Sequence, residues 1–534
     1  MKKTLLTIIC ALLFVPVFSQ QFEWVQSRTI GYNMNPALPR HQLTVSSGGL
    51  IFEAGLDSMT QLYGSDIYGI ARLSCFNSAG NLQWSFPFGE KVLIGPMCSD
   101  ASGNVYVSGS YMETFHISAT DSLENTGTGF NTNTFILSFN SSGTLLWKRN
   151  ITLTHSEFYR IDAMNIDQLG NAWYGSSDFF STSILRLNSS GADVQTIQAT
   201  GSKTLGGFSF DPAGNLFIAG SSEMGTMQIA DLTVNVPETY SMYIARVEAG
   251  ATHTSWIKLA HDVTFQSPCV VTDPFGNAYL SGNLMDSTVW GNITFRHPQW
   301  VYDIYLVKVD AAGDFHWGVQ VPQTPTIVGD FERGANTFMD VDQNGNVFLG
   351  GTTRYHVDWG NGVVSGSTSG IYSQLSFLSF DSTGTARWCL NGGSGTNGYN
   401  QALSSVVNNQ GEYYFTAAIS SIATFGNINL NAGGGYAAVL GKINLNLPNG
   451  ISSPRSGNDW IIYPNPSSSM VYFPSSLSAA TIEVYDAFGR CVQRVEKSNS
   501  NSIDVSALAN GIYILKISQA SGILSRQFIV NGRN

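Results

Sequence analysis

Asp273-Pro274-Phe275-Gly276-Asn277-Ala278-Tyr279-Leu280-Ser281-Gly282 is the stretch that decides the fold. An Asp that can bond its local backbone, followed by Gly-Asn, supplies the positive-φ positions of a tight turn, and the apolar run after it reads as a buried strand. The pattern returns from Asp100 to Gly109, Asp167 to Gly175, Asp211 to Gly220 and Asp342 to Gly351, and in weaker form from Ser46 to Gly55 and from Asn408 to Ala418. A second signature follows each copy: an Asn or Asp, two small residues, a Gly, and usually a Trp four residues on. Its clear cases are Asn77 to Gly80 with Trp84, Asn140 to Gly143 with Trp147, Asp310 to Gly313 with Trp317, and Asp381 to Gly384 with Trp388. Degenerate cases are Asn188 to Gly191, Glu248 to Gly250 with Trp256, and Leu440 to Asn444.

Each signature is counted seven times. Each is a hairpin turn, so every unit offers four strands, which suits a propeller blade better than a solenoid coil. The strands are apolar on both faces, as in Val105-Tyr106-Val107, because blades are covered on both sides. The predicted fold is all-β: a seven-bladed β-propeller, with six or eight blades still compatible, followed by a small immunoglobulin-like β-sandwich. The last unit lacks a fourth strand, and Gln21-Phe22-Glu23-Trp24-Val25 is predicted to supply it and close the ring. Trp290-Gly291-Asn292, Trp359-Gly360-Asn361 and Phe425-Gly426-Asn427 read as extra hairpins inserted between second and third strands.

Met1-Lys2-Lys3 before the apolar run Leu5 to Phe18 has the form of a secretory signal peptide, with Ser19 and Gln20 flanking the cleavage point. Cys10 follows Ile9 rather than a small residue, which argues against a lipoprotein site. Processing would move the formal charge from -11 to -13, which disfavours nucleic-acid binding. No later run is long and apolar enough for a transmembrane helix. The five remaining cysteines, Cys75, Cys98, Cys269, Cys389 and Cys491, show no paired metal or redox spacing and are expected to be small apolar residues.

Composition shifts to a polar linker over 447–458, and a new pattern of short alternating strands runs from 459 to 534. The chain is therefore divided into a signal peptide (1–19), a propeller (20–446), the linker and a terminal sandwich. The Asp-x-x-Gly-Asn units with their Gly-x-x-x-Trp turn resemble the propeller repeats of secreted bacterial proteins, and the Trp turn is similar to the tryptophan-docking turn of quinoprotein-type propellers. The adjacent cysteine pair of the quinone site is absent from the sequence, so no cofactor is inferred.

The terminal segment resembles the type A sorting domain of the type IX secretion system. The residues that carry the likeness are Tyr463, Pro464, Asn465 and Pro466, then Asp486, Gly489 and Arg490, then Gly511 and Tyr513. The resemblance implies export through the periplasm, handling by the type IX secretion machinery, and delivery to the cell surface or medium. The competing reading is an ordinary carbohydrate-binding or immunoglobulin-like module.

Asp340-Val341-Asp342-Gln343-Asn344-Gly345 opens like a calcium loop, but Gly351 stands where a bidentate Glu belongs, so a plain turn is expected. Dispersed histidines offer no metal spacing. No catalytic, cofactor or metal residue is assigned. The expected function is a non-enzymatic secreted or surface propeller that binds a glycan, protein or surface polymer. The alternative is an extracellular polysaccharide hydrolase or lyase, which would need acid, base or metal groups converging at one channel mouth.

Overall fold

A computed structural model describes residues 18–32, 41–63, 66–125, 132–151, 161–178, 180–264, 266, 268–298, 303–322, 329–367, 373–395, 398–448, 462–474, 480–486, 490–498, 500–519 and 522–531. The core of the predicted signal peptide and most of the predicted linker lie outside them. The chain divides into two compact units, one spanning Gln20–Leu447 and one holding Pro448–Asn534. All secondary structure among the described residues is strand, and no described helix is long and apolar enough to cross a membrane.

The larger unit is built from antiparallel sheets, two of them four-stranded. Ser202–Phe210, Leu216–Ser222, Ser241–Val247 and Thr254–His261 form one, and Cys269–Thr272, Ala278–Leu284, Asp303–Val309 and Phe315–Gln320 form the next. The other large sheets have seven, six and nine strands. Leu82–Ser99 runs through the seven-stranded sheet, pairing through its first half with Asp66–Phe76 and through its second with Val105–Tyr111. The first strands touch in chain order, from Gln42–Val45 through to Asn400–Val407, and Asn400–Val407 meets Gln42–Val45 again.

The Asp turns show why the repeat has its residues. In the turn at Asp273, Oδ1 accepts the backbone N–H groups of Phe275 and Asn277 at 2.9 Å, while Oδ2 accepts Asn277 Nδ2 at 2.8 Å and Tyr279 OH at 2.9 Å. Asp100, Asp211 and Asp342 hold the same three turn donors. In the seventh unit the chemistry is exchanged. Asn408 caps the turn and donates Nδ2 to Glu412 Oε2 at 2.8 Å, and Tyr414 OH donates to the same oxygen at 2.9 Å. The strand-ending glycine permits close approach: a Cβ at Gly109 would lie 2.4 Å from Leu93 O.

The Trp signature joins successive units. Trp24, Trp84, Trp256 and Trp317 donate their indole N–H to Ser78, Ser141, Ala311 and Ser382 carbonyls in the second turn of the following unit. The turn glycine lies beneath the ring, and a Cβ at Gly143 would sit 2.7 Å from Trp84. The third unit carries no Trp there, and Gln195 donates to Gly250 O at 3.0 Å instead. Leu440 to Asn444 is not a turn: it lies inside Ile428–Pro448, paired with Tyr413–Phe425. Gly441 is there because the Phe415 ring passes 2.4 Å from where its Cβ would be.

Phe18–Tyr32 pairs with Ile428–Pro448 at the edge of the last sheet. Phe22 and Val25 join the core formed by Phe377, Phe415 and Phe425. The inserted hairpins cover strand edges. Gly225–Ile229 pairs with the outer strand Asp193–Thr200 of the preceding unit, and the Thr424 and Ala423 end of another hairpin pairs with Gly393 and Ser394. Edges that would otherwise expose unpaired N–H and C=O groups are thereby closed.

The terminal unit has a four-stranded sheet, ordered Cys491–Ser498, Ala480–Asp486, Gly511–Gln519, Gly522–Val530, and a two-stranded sheet of Met470–Tyr472 with Ser502–Asp504. Both contribute to one core through Val471, Ile503, Ile482, Leu515 and Phe528.

Candidate functional sites

In the terminal unit the motif residues tie the start of the unit to its end. Asn465 Oδ1 accepts the Ile529 N–H at 2.8 Å, and Ser467 exchanges backbone bonds with Ile529 and Asn531. Pro464 and Pro466 flank Asn465 with cis peptide bonds. Tyr463 stacks on Tyr472 with centroids 5.7 Å apart and rings 21° from parallel, and Tyr463 is 56% exposed. Asp486 holds its turn by accepting Arg490 N at 2.9 Å and Arg490 Nε at 2.8 Å. Gly489 lies outside the described residues. Gly511 pairs with Val530, and Tyr513 OH donates to Ala509 O at 2.8 Å. Sequence reading missed Tyr472, Ile512 and Ile529. Ile512 and Ile529 face each other across the sheet at 50% and 39% exposure, an apolar surface of the kind that marks interaction sites. Ser19 and Gln20 fall in strand Phe18–Tyr32.

In the larger unit the Asp and Trp turns occupy one rim, and the longer connections, where the second strands end, occupy the other. Two aromatic and charged clusters lie on the second rim. Tyr399 and Tyr436 meet edge to face at 5.9 Å, with Tyr399 OH donating to Gln401 Oε1 at 3.0 Å. Arg354 lies 3.5 Å from Glu332 and 3.8 Å from Asp330. Burial, aided by the Glu332 charge, pushes the Tyr399 hydroxyl up to about 12. In the other cluster Phe180 is 73% exposed, the Lys203 ammonium lies 5.4 Å from its ring centre, and Lys203 pairs with Glu223 beside exposed Met224. Neither cluster has a sequence motif. Only their positions next to strand ends, known after folding, bring them together.

The calcium-like segment is a turn. Both Asp342 oxygens accept N–H donors, at 2.9 and 2.8 Å for Oδ1 and 2.7 Å for Oδ2, the bonds of a capped turn. Asp340 points elsewhere, with Oδ2 accepting Val407 N at 2.9 Å and Oδ1 its neighbour Val341 N at 2.9 Å. Among the described residues no group of His, Cys, Asp and Glu is arranged to hold a metal. The described cysteines are free thiols: Cys75 and Cys98 are buried, Cys269 and Cys389 half-buried and Cys491 exposed. Three of the described histidine rings, His41, His253 and His316, face a carboxylate, Glu53, Asp231 and Asp310 respectively.

Burial pushes the Asp340 carboxyl up to about 7, with the Asp342 charge adding to the rise and the two backbone N–H groups opposing it. An acid with a raised folded pKa favours the folded state while protonated. That advantage is lost as pH rises from about 3.9, the unfolded value, through about 7. Asp340→Asn will therefore raise the melting temperature at pH 8 and leave it near wild type at pH 4. Parallel melting curves across that range check this, and a difference independent of pH would refute it.

Residues 461–531 match the family model described as a secretion system C-terminal sorting domain. The chain thus carries a sorting tail that implies export by the type IX system to the cell surface or beyond, attached to an all-β, propeller-like unit of antiparallel sheets. No curated protein matches the chain. Among solved structures, a catalytically inactive virginiamycin B lyase from Staphylococcus aureus with quinupristin is 11% identical, covering 79% of this chain and 99% of its own, at a TM-score of 0.38. A puromycin hydrolase mutant complexed with PGG is 10% identical over 91% of this chain and 62% of its own, at 0.37. A protein of unknown function from Bacteroides caccae is 11% identical over 57% and 94%, at 0.33. Nothing about activity passes from those proteins to this chain at such values.

Proposed function

We propose that the protein is an exported binding module: a closed seven-bladed propeller over 20–446, displayed outside the cell and delivered by a sorting domain over 459–534 through a linker at 447–458. The sorting-domain match, with its Tyr463-Pro464-Asn465-Pro466 opening built into the end of the sheet, carries this reading. The cyclic order of first-strand contacts and the pairing of Phe18–Tyr32 with Ile428–Pro448 support seven blades closed by the N-terminal strand. Residues 1–19 act as the signal peptide, cut between Ser19 and Gln20. Tyr463 to Pro466, Asp486, Gly489, Arg490, Gly511 and Tyr513 are the residues the secretion machinery depends on.

The propeller binds a glycan, protein or surface polymer without chemistry of its own. The rim clusters of Tyr399, Tyr436 and Arg354, and of Phe180 and Lys203, support binding because they combine aromatic faces with charged donors and acceptors at loop ends. In a host with a type IX system, a chain ending at residue 450 will accumulate in the periplasm, whereas the full chain reaches the surface or medium. Immunoblots of cell fractions read this directly, and normal export of the truncated chain would defeat the proposal.

A further inference from the structure

We infer that a groove between the strand Thr254–His261 and the segment from Gly291 to Phe315 is a hexopyranose-binding subsite, an inference that rests on the binding-module reading above. The groove encloses about 420 Å³ and is lined by Lys258, Leu259, Gly291, Asn292, Gly313, Asp314 and Phe315. That volume lies within the range of small-ligand sites, roughly 300–1,000 Å³, and accepts one pyranose ring with room for a neighbour.

Comparison with the other junctions shows why the groove is open. Lys258 stands two residues beyond Trp256, which docks on the turn of the next unit. At the corresponding position after Trp24, Gln26 donates to Gly80 O at 2.9 Å. After Trp147, Arg149 donates to Gly191 O at 3.1 Å and pairs with Asp193. After Trp84, Phe86 fills the space against Phe139 at 4.8 Å. Each of these side chains closes its junction. Lys258 does not: its stem lies along Gly313, where a Cβ would approach Lys258 Cε to 2.7 Å, and its ammonium makes no hydrogen bond or ion pair among the described residues. The Asp314 carboxylate and the Asn292 carboxamide are equally without partners there.

The junction therefore leaves a cation, an anion and an amide lining one cavity. Vicinal hydroxyls satisfy such a set, since each both accepts and donates. The ammonium donates to a hydroxyl oxygen, the carboxylate accepts a hydroxyl proton, and the carboxamide does both. Leu259, buried Phe315 and the two glycines, which let backbone approach closely, form a floor for the C–H face of a sugar ring.

The test uses the mature full chain on an array of defined glucan, mannan, xylan and galactan oligosaccharides, followed by titration calorimetry on those that bind. Lys258→Met and Asp314→Asn are expected to weaken binding by about tenfold to a hundredfold, the effect of losing a hydrogen bond to a charged group. Melting temperatures will stay at the wild-type value, because neither side chain bonds within the fold. Asn292→Ala, on an exposed turn, should weaken binding less but measurably. Sugar binding by wild type that all three variants retain in full overturns the groove while leaving the binding module standing. Wild type that binds proteins or other polymers but no sugar also overturns the groove alone. Failure of wild type to bind any glycan, protein or surface polymer removes the binding-module reading and the groove with it.

Discussion

Phe22→Ala will destabilise the larger unit by about 3–5 kcal/mol, the range for removing a buried aromatic side chain. Phe22 belongs to the N-terminal strand yet is buried among residues some four hundred positions away. Its ring centre lies 5.3 Å from that of Phe425, 5.8 Å from Phe415 and 6.0 Å from Phe377, all edge-on. Without Phe18–Tyr32 the strand Ile428–Pro448 would be the open edge of its sheet, so the alanine leaves a cavity at the place where the two ends of the larger unit meet. Unfolding entropy is about 2.1 cal/mol/K per residue, so for a unit of this length the loss corresponds to a melting shift of roughly 4 °C. Leu82→Ala, at an exposed position, is the control and should shift stability by no more than about 0.5 kcal/mol. A Phe22→Ala effect as small as the control would mean that the N-terminal strand does not hold the ring.

Glu53→Gln should cost a similar amount at neutral pH and less in acid. Glu53 is buried, with Oε1 2.5 Å from His41 Nδ1 and Oε2 3.4 Å from Arg28 Nε. Arg28 comes from the N-terminal strand, lies over the Phe76 ring at 4.3 Å and donates to Ser74 Oγ at 3.1 Å. His41 reaches the other way: its carbonyl accepts from Asn336 Nδ2, Ser404 Oγ and Thr416 Oγ1 of the last units. Burial alone would raise the Glu53 pKa, but the His41 hydrogen bond and charge, and then the Arg28 charge and hydrogen bond, hold it below its ordinary value.

A depressed carboxylate pKa contributes stability above the unfolded value of about 4.3, and that stability is lost as pH falls through the folded value. Removing the charge strands its buried partners, at a cost of about 3–5 kcal/mol. Denaturation of wild type and variant at pH 7 and at pH 3 should therefore show curves farther apart in the first case than in the second. Equal separation at both pH values would mean that packing, not charge, is what Glu53 supplies.

Both effects concentrate where the two ends of the larger unit meet, and sequence reading reached only part of that region. The pattern Gln21-Phe22-Glu23-Trp24-Val25 was legible as a partnerless Trp strand. Its partner Lys442, which bridges Glu23 and Glu412, was not, nor was the Arg28–Glu53–His41 cluster, because charges brought together across hundreds of residues leave no local pattern. Leu440 to Asn444 misled for a related reason. A glycine that makes room for the Phe415 ring looks the same in sequence as one that turns the chain.

What the sequence by itself determined was everything that depends on neighbours within a few residues. The Asp turns close on their own backbone and on an Asn four positions later, the Trp follows its turn glycine at fixed spacing, and the Tyr463 to Tyr513 motifs mark the sorting tail. Only the tertiary structure decided which turn each Trp meets, how inserted hairpins seal neighbouring edges, and why the junction at Lys258 stands open while those at Gln26, Phe86 and Arg149 are filled. A turn is specified by the bonds of a short segment to itself. A junction is specified by the fit of two surfaces that are adjacent only after the chain has folded, so the side chain missing from it can be recognised only there.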